Sequence, residues 1–188
     1  LSLCNKNFQK INNYSSKAKH DLLLDVCMAA KYEGESLEKY RAQYQQKYGD
    51  FGSTICTILA RSFADIGDII RGKDLYRGGG RGRKQLENKL KEIFTQIHEG
   101  LTDRRAKEYY QDKNGGNFFK LREDWWTANR ATVWKAITCD EENKISDAQY
   151  FRGTCGGVKT ATLARKKCRC DNVSIVPTYF DYVPQFLR

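Results

Sequence analysis

Histidine, proline and long apolar runs are all scarce in this chain of 188 residues, and each shortage closes a line of interpretation. The two histidines, His20 and His98, are isolated and no C-x-x-C pair exists, so a structural zinc site fails on ligand spacing. Only two prolines occur, which argues against long disordered linkers. No run reaches the ~18 apolar residues that a membrane-spanning helix needs, so no direct membrane insertion of this segment is expected. The opening LSLCNKNFQK also lacks the charged-then-apolar order of a signal peptide. Any anchor is therefore expected elsewhere.

Catalytic and cofactor signals are equally thin. Glu123 and Asp124, or Glu141 and Glu142, are neighbouring acids without a partner histidine, and no nucleophile motif accompanies them. GTCGGVKT, at 153–160, has the outline of a phosphate-binding loop, but Val158 stands where the second glycine belongs and no apolar strand precedes it. The two N-x-[ST] sequons, at Asn13 and Asn172, are no more than chance supplies. The expectation is a non-enzymatic protein without a catalytic, metal or cofactor site.

Charge and cysteine are what the chain has in quantity. Lys and Arg number 33 against 23 Asp and Glu, a formal net charge of +10. That balance attracts an anionic partner: nucleic acid, an acidic membrane surface, a sulfated or sialylated glycan, or an acidic protein. A basic protein with no polyanion partner is the plain alternative. Seven cysteines, Cys4, Cys27, Cys56, Cys139, Cys155, Cys168 and Cys170, are spread over the chain. Disulfides are the favoured reading, and the odd count leaves one cysteine free or paired outside these residues.

The periodicity is helical. KAKHDLLLDVCMAAKYEG (17–34) places Leu22 or Leu23, Val26, Cys27 and Ala30 on one face, with Gly34 as a stop. ESLEKYRAQYQQKYG (35–49) forms a second helix with Leu37, Tyr40, Tyr44 and Tyr48 as a core or contact stripe. STICTILARSFADIGDIIRG (53–72) buries Ile55, Ile58, Leu59, Phe63, Ile66 and Ile70, leaving Asp65 and Asp68 on the wet side or its edge. RKQLENKLKEIFTQIHEG (83–100) repeats the pattern with Leu86, Leu90, Ile93, Phe94 and Ile97. A short polar helix follows Asp103, a natural N-cap. NFFKLREDWWTANRATVWKAITC (117–139) sets Phe119, Trp126, Val133 and Ile137 on one side and Phe118, Trp125 and Trp134 on others. From Asp140 to Val176 periodicity vanishes and cysteines gather, which reads as an irregular segment stapled by disulfides. One all-α domain with long irregular loops is expected.

Three basic clusters are the candidate binding residues. Arg71, Lys73, Arg77, Arg81, Arg83 and Lys84 stand against one acid, Asp74, among glycines expected to keep the segment a flexible loop. Arg104, Arg105 and Lys107 form the second cluster, and Arg165, Lys166, Lys167 and Arg169 the third. Guanidinium groups on such loops match phosphate or sulfate bidentately. Single-stranded nucleic acid would need aromatics interleaved with these cations, and only Tyr76 lies inside the first cluster, so no nucleic-acid partner is expected.

ARSFADIGDIIRG, REDWWTANRATVWKAITC and PTYFDYVPQFLR resemble the alpha-class Duffy-binding-like domain of the malaria-parasite erythrocyte membrane proteins, variant adhesins displayed on infected red cells. LLLDVCMAAKYEG fits the same family, so the likeness runs over essentially the whole chain. It implies a disulfide-stapled helical adhesion module with no enzymatic activity, on the extracellular face of the infected-erythrocyte membrane. Residues 1 to about 20 resemble the end of the first subdomain and about 21–188 the second, with the third absent. The resemblance pairs Cys56 with Cys168 or Cys170 and Cys4 with a cysteine outside this chain, and leaves Cys27, Cys139 and Cys155 to pair among the remainder. Four cysteines after DIGDI resemble the common alpha subclass. The partners it implies are a host cell-surface protein or an acidic glycan such as heparan sulfate, as in rosetting, together with antibodies and neighbouring domains. The other reading it leaves open is an immune-facing head, subject to antigenic variation, whose receptor contacts belong to those neighbours.

Overall fold

The computed structural model describes residues 18–48, 54–75, 81–112, 115–139, 145–156, 160–172 and 174–188. Five α-helices carry these residues: α1 (Ala18–Tyr48), α2 (Ile55–Arg71), α3 (Arg81–Glu99), α4 (Arg104–Tyr109) and α5 (Phe119–Ile137). A two-stranded antiparallel hairpin, β1 (Gly153–Cys155) and β2 (Thr162–Leu163), lies in the irregular segment, and two short 3-10 turns, Phe180–Tyr182 and Gln185–Leu187, end the chain.

The core forms where the apolar stripes of four helices meet. Leu22, Val26 and Ala30 of α1, Leu59 and Phe63 of α2, Leu90 and Phe94 of α3, and Trp126, Val133 and Ile137 of α5 are all buried. Phe63 sits between two tryptophans, with ring centroids 5.1 Å from Trp126 and 5.2 Å from Trp134. Aromatic pairs at such separations contribute beyond the area they bury.

α1 runs unbroken through Gly34, where a stop is expected from the sequence. A Cβ on Gly34 would stand 2.1 Å from the carbonyl oxygen of Ile137, so the glycine serves close approach of α1 to the end of α5. Gly72, left-handed at φ 71, does end a helix: its own amide returns to the Ile69 carbonyl and that of Lys73 to the Asp68 carbonyl at the end of α2. Tyr40, expected in a contact stripe, is 65% exposed. Phe119 likewise faces out while Phe118, Trp125 and Trp134 are buried, because α5 is wrapped on more than one side.

The irregular segment is held by two bridges, Cys56–Cys168 and Cys155–Cys170, which close separations of 112 and 15 residues. Cys168 is thus the partner of Cys56, and Cys155 takes Cys170. Cys27 and Cys139, expected to be paired, are free and half-buried, and burial pushes the Cys27 thiol up. Cys4 lies outside the described residues.

Candidate functional site

Two kinds of charged site emerge, one buried and one exposed. The buried one joins the end of α2 to the middle of α5 and the C-terminal turns. Arg71 is 2% exposed; its guanidinium donates to Asp68 Oδ1 at 3.0 Å, to Glu123 Oε1 at 3.2 Å and to the Asp181 carbonyl, and its Nε donates to the Gly67 carbonyl. Asp181 in turn accepts from Trp126 Nε1 at 2.9 Å and from Arg130 through both carboxylate oxygens at 2.8 Å. Arg188 reaches back to Asp65 and Asp68. Arg122 grips both oxygens of Glu87 and donates to the Ile69 and Ile70 carbonyls, capping α2.

Asp68 is therefore buried rather than on the wet side, while Asp65 lies at its edge, with its side chain a quarter exposed. Desolvation holds the Asp68 carboxyl above its ordinary range, against the pull of Arg188 and Arg71. Burial works against the Glu123 charge too, but hydrogen bonds from Lys73 and Arg71 win and hold that carboxyl below its usual value. Sequence reasoning missed Arg122, Arg130 and Asp181. The available signal was spacing: Arg122, Trp126 and Arg130 recur every four residues and so share one face of α5.

The exposed site is the remainder of the basic residues, and the structure spreads them. In the first cluster Arg71 points inward, Lys73 pairs with Glu123, and Arg83 lies 3.6 Å from Asp74. Arg81, Gly82, Arg83 and Lys84 form the opening turn of α3, a correction to the flexible loop expected there. Arg77 and the side chain of Arg81 lie outside the described residues. In the second cluster Arg104 pairs with Glu108, Lys107 donates to the Glu99 carbonyl at 3.2 Å, and Arg105 is exposed; Asp103 caps α4 through the amides of Arg105 and Ala106.

In the third cluster Arg165 and Lys166 are exposed, while Arg169 folds back to cap the end of α5, donating to Thr138 Oγ1 and the Thr138 and Lys135 carbonyls. Lys167 and Cys168 adopt left-handed φ values of 50 and 53, a tight turn pinned by the bridge to Cys56. Beside it opens a cleft of about 450 Å³ lined by Ser146, Asp147, Lys166, Lys167 and Asp171. A second cleft, about 580 Å³, lies between Lys73 and Leu75 on one side and Tyr182, Pro184 and Phe186 on the other.

The clusters do not converge. The second is anchored at Glu99, and Lys84 lies 15 residues earlier on α3, about 22 Å along the axis at 1.5 Å per residue. Tyr110, at the end of α4, bonds Asp124 on α5, and Thr138, which holds the third cluster, lies 14 residues beyond Asp124, again about 21 Å. Three separated cationic spots decorate one helical body. Among the described residues no group of three or more potential metal ligands occurs.

The family model for the Duffy binding domain matches residues 1–188. Among solved structures, the chain is similar to the NTS-DBL1(alpha-1) domain of Plasmodium falciparum membrane protein 1 (PfEMP1) from the varO strain, with 38% identity and a TM-score of 0.75, covering 98% of this chain and 39% of that one. The double domain of the same strain, NTS-DBL1-alpha with CIDR-gamma, matches at 38% identity and a TM-score of 0.73, covering 98% of this chain and 25% of that one. The PfEMP1 IT4var13 DBLbeta domain, solved bound to ICAM-1, matches at 29% identity and a TM-score of 0.65, covering 98% of this chain and 40% of that one. The chain thus spans 40% or less of each of these relatives. No curated protein matches it.

Proposed function

The chain belongs to the Duffy binding domain family, and from that premise we propose that it is a non-enzymatic adhesion module of a variant surface antigen on infected erythrocytes, contacting a host receptor or acidic glycan through its exposed cations. The relative that binds ICAM-1 supports a receptor-contacting role for this kind of domain. The observation that carries the glycan reading is where the cations stand. Basic residues occupy the opening turns of α3 and α4, and neither opening turn contains an acid. The positive end of a helix dipole opposes cations there by ~0.3–1 kcal/mol each. The dipole gives folding nothing for that placement, whereas an anion arriving beside α3 meets the positive end of the helix together with the exposed Arg83 and Lys84, and beside α4, whose first amides Asp103 already occupies, it meets the exposed Arg105.

Heparin retention against salt tests the reading. Wild-type protein is expected to elute above physiological ionic strength, and Arg83→Ala, Lys84→Ala and Arg105→Ala together to elute at distinctly lower salt with an unchanged unfolding midpoint. Elution of the wild type below physiological salt, or no shift in the variant, contradicts it.

The wide separation of the clusters favours a second reading, an immune-facing head whose receptor contacts belong to neighbouring domains. It predicts no retention of this chain alone, and antibody recognition of its loops. In either case we propose that residues from about 21 onward form the second subdomain. The exposed Tyr182, Phe186 and Leu187 beside the larger cleft then pack against the remainder of a full-length domain.

A further inference from the structure

The solvent face of α1 carries a pattern that the adhesion reading does not use. Leu24, Met28 and Tyr32 follow one another at four-residue intervals and so form a ridge along one side of the helix. Leu24 is 61% exposed and Tyr32 50%, while Leu22, Val26, Ala29 and Ala30 face the core. Asp21, Asp25 and Glu35 lie on the same stripe; at 3.6 residues per turn, all six side chains project within a sector of about 100°. Lys39, exposed, lies on the same stripe one turn beyond Glu35, so the acids gather on the first half of this face, around Leu24 and Met28, in a chain whose net charge is +10.

Their charges are only partly compensated. Glu35 pairs with Lys31 at 3.7 Å, but among the described residues neither Asp21 nor Asp25 makes an ion pair. Asp21 sits in the first turn, where the helix dipole favours it; Asp25 is one turn further on, where that effect has faded. Partial burial, and then the charge of Asp21, holds the Asp25 carboxyl above its ordinary range.

A ridge of side chains four residues apart is the surface that interdigitates with the same kind of ridge on another helix. Tyrosine and methionine are also enriched in interfaces. We propose that this face of α1 docks a basic amphipathic helix of another polypeptide. Its apolar side chains seat against Leu24, Met28 and Tyr32, and its lysines or arginines neutralise Asp21 and Asp25. A symmetric pairing with a second copy is disfavoured because it would set one acidic ridge against another. The surface is independent of the basic clusters on α3 and α4.

The test uses the whole chain and two synthetic helices of about 18 residues, long enough to hold helical structure. One carries leucines at three- and four-residue spacing flanked by lysine, and the other has glutamate for each lysine. Fluorescence anisotropy is expected to show the lysine peptide binding at least tenfold more tightly than the glutamate peptide, a margin that charge complementarity supplies. Leu24→Gln with Tyr32→Gln weakens that binding by about tenfold, the scale of lost interface anchors. Asp21→Asn with Asp25→Asn weakens it and flattens its salt dependence. Both variants keep the wild-type circular dichroism, since Leu24 and Tyr32 are exposed and Asp21 and Asp25 make no ion pair among the described residues. Arg83→Ala, Lys84→Ala and Arg105→Ala together leave peptide binding unchanged, which separates this surface from the glycan reading. Equal binding of the two peptides, or indifference to the α1 substitutions, overturns the proposal. So does a dimer seen by sedimentation that Leu24→Gln with Tyr32→Gln dissolves, because that assigns the face to a second copy.

Discussion

Arg130 holds Asp181 with two nitrogens, each 2.8 Å from a carboxylate oxygen, across 51 residues of sequence. The pair ties the middle of α5 to the C-terminal turn, and Trp126 and the main chain at Asp181 extend it to Arg71 on α2. The stretches DIGDIIRG, DWWTANR and YFDY, far apart in the chain, are therefore one physical object. They form a buried charge lattice that sets the relative placement of α2, α5 and the C-terminal turns.

Removing one partner from such a lattice strands the others. Asp181→Asn leaves Arg130 without its counter-charge at a site where the Asp181 side chain is fully buried. A loss of about 3–5 kcal/mol is expected, typical of an uncompensated buried ion. Urea denaturation monitored by tryptophan fluorescence reads it; a loss below ~1 kcal/mol would show that the pair is dispensable.

Gly34→Ala sets two effects against each other. Alanine is better than glycine inside a helix by about 1 kcal/mol, but its methyl would stand 2.1 Å from the Ile137 carbonyl oxygen. Relieving a backbone overlap of that depth moves α1 away from α5, so the overpacking cost of about 1–3 kcal/mol prevails. The expected outcome is a lower thermal midpoint, and a raised midpoint would show that α1 shifts freely.

The two bridges differ in reach. Replacing Cys56 and Cys168 by alanine releases a separation of 112 residues, worth about 4–5 kcal/mol in the chain-entropy account. The same change at Cys155 and Cys170 releases 15 residues, worth about 3 kcal/mol. The Cys56 and Cys168 double variant is expected to have the lower thermal midpoint of the two, and the reverse order would contradict the chain-entropy account. Peptide mapping without reductant recovers both bridges, with Cys27 and Cys139 as free thiols.

Acid weakens one corner of the lattice. Glu123 has a folded pKa below its ordinary 4.5, so the folded state binds fewer protons than the unfolded state in that range. Its contribution is complete above about pH 5 and fades as pH falls through 4.5 and below. Asp68, raised by burial, acts in the opposite sense: its contribution grows as pH falls toward 3.8. Glu123→Gln is expected to flatten the loss of stability below pH 4.5; an unchanged profile assigns that loss to other carboxylates.

The helices were legible because their apolar periodicity is strong: Leu59, Phe63, Ile66 and Ile70 lie on the buried face of α2 as their spacing requires. Gly34 and Asp68 misled for related reasons. A glycine marks either a helix end or a close approach, and an aspartate on a helix is solvated unless distant arginines, here Arg71 and Arg188, arrive to cover it. Neither alternative leaves a local trace. The candidate site shared this difficulty. Charge gave the number of cations, but only the fold separates Arg71 and Arg169, which serve the framework, from Lys84, Arg105, Arg165 and Lys166, which face water.

The proposed glycan contact requires separate cationic spots, held apart along the helices, to act together on one long polyanion. Titration with heparin oligosaccharides shorter and longer than the ~22 Å between Lys84 and the end of α3 tests it most directly. Short chains are expected to engage one spot weakly, and chains long enough to bridge two spots to bind at least tenfold more tightly through effective concentration. Affinity independent of oligosaccharide length would contradict the account.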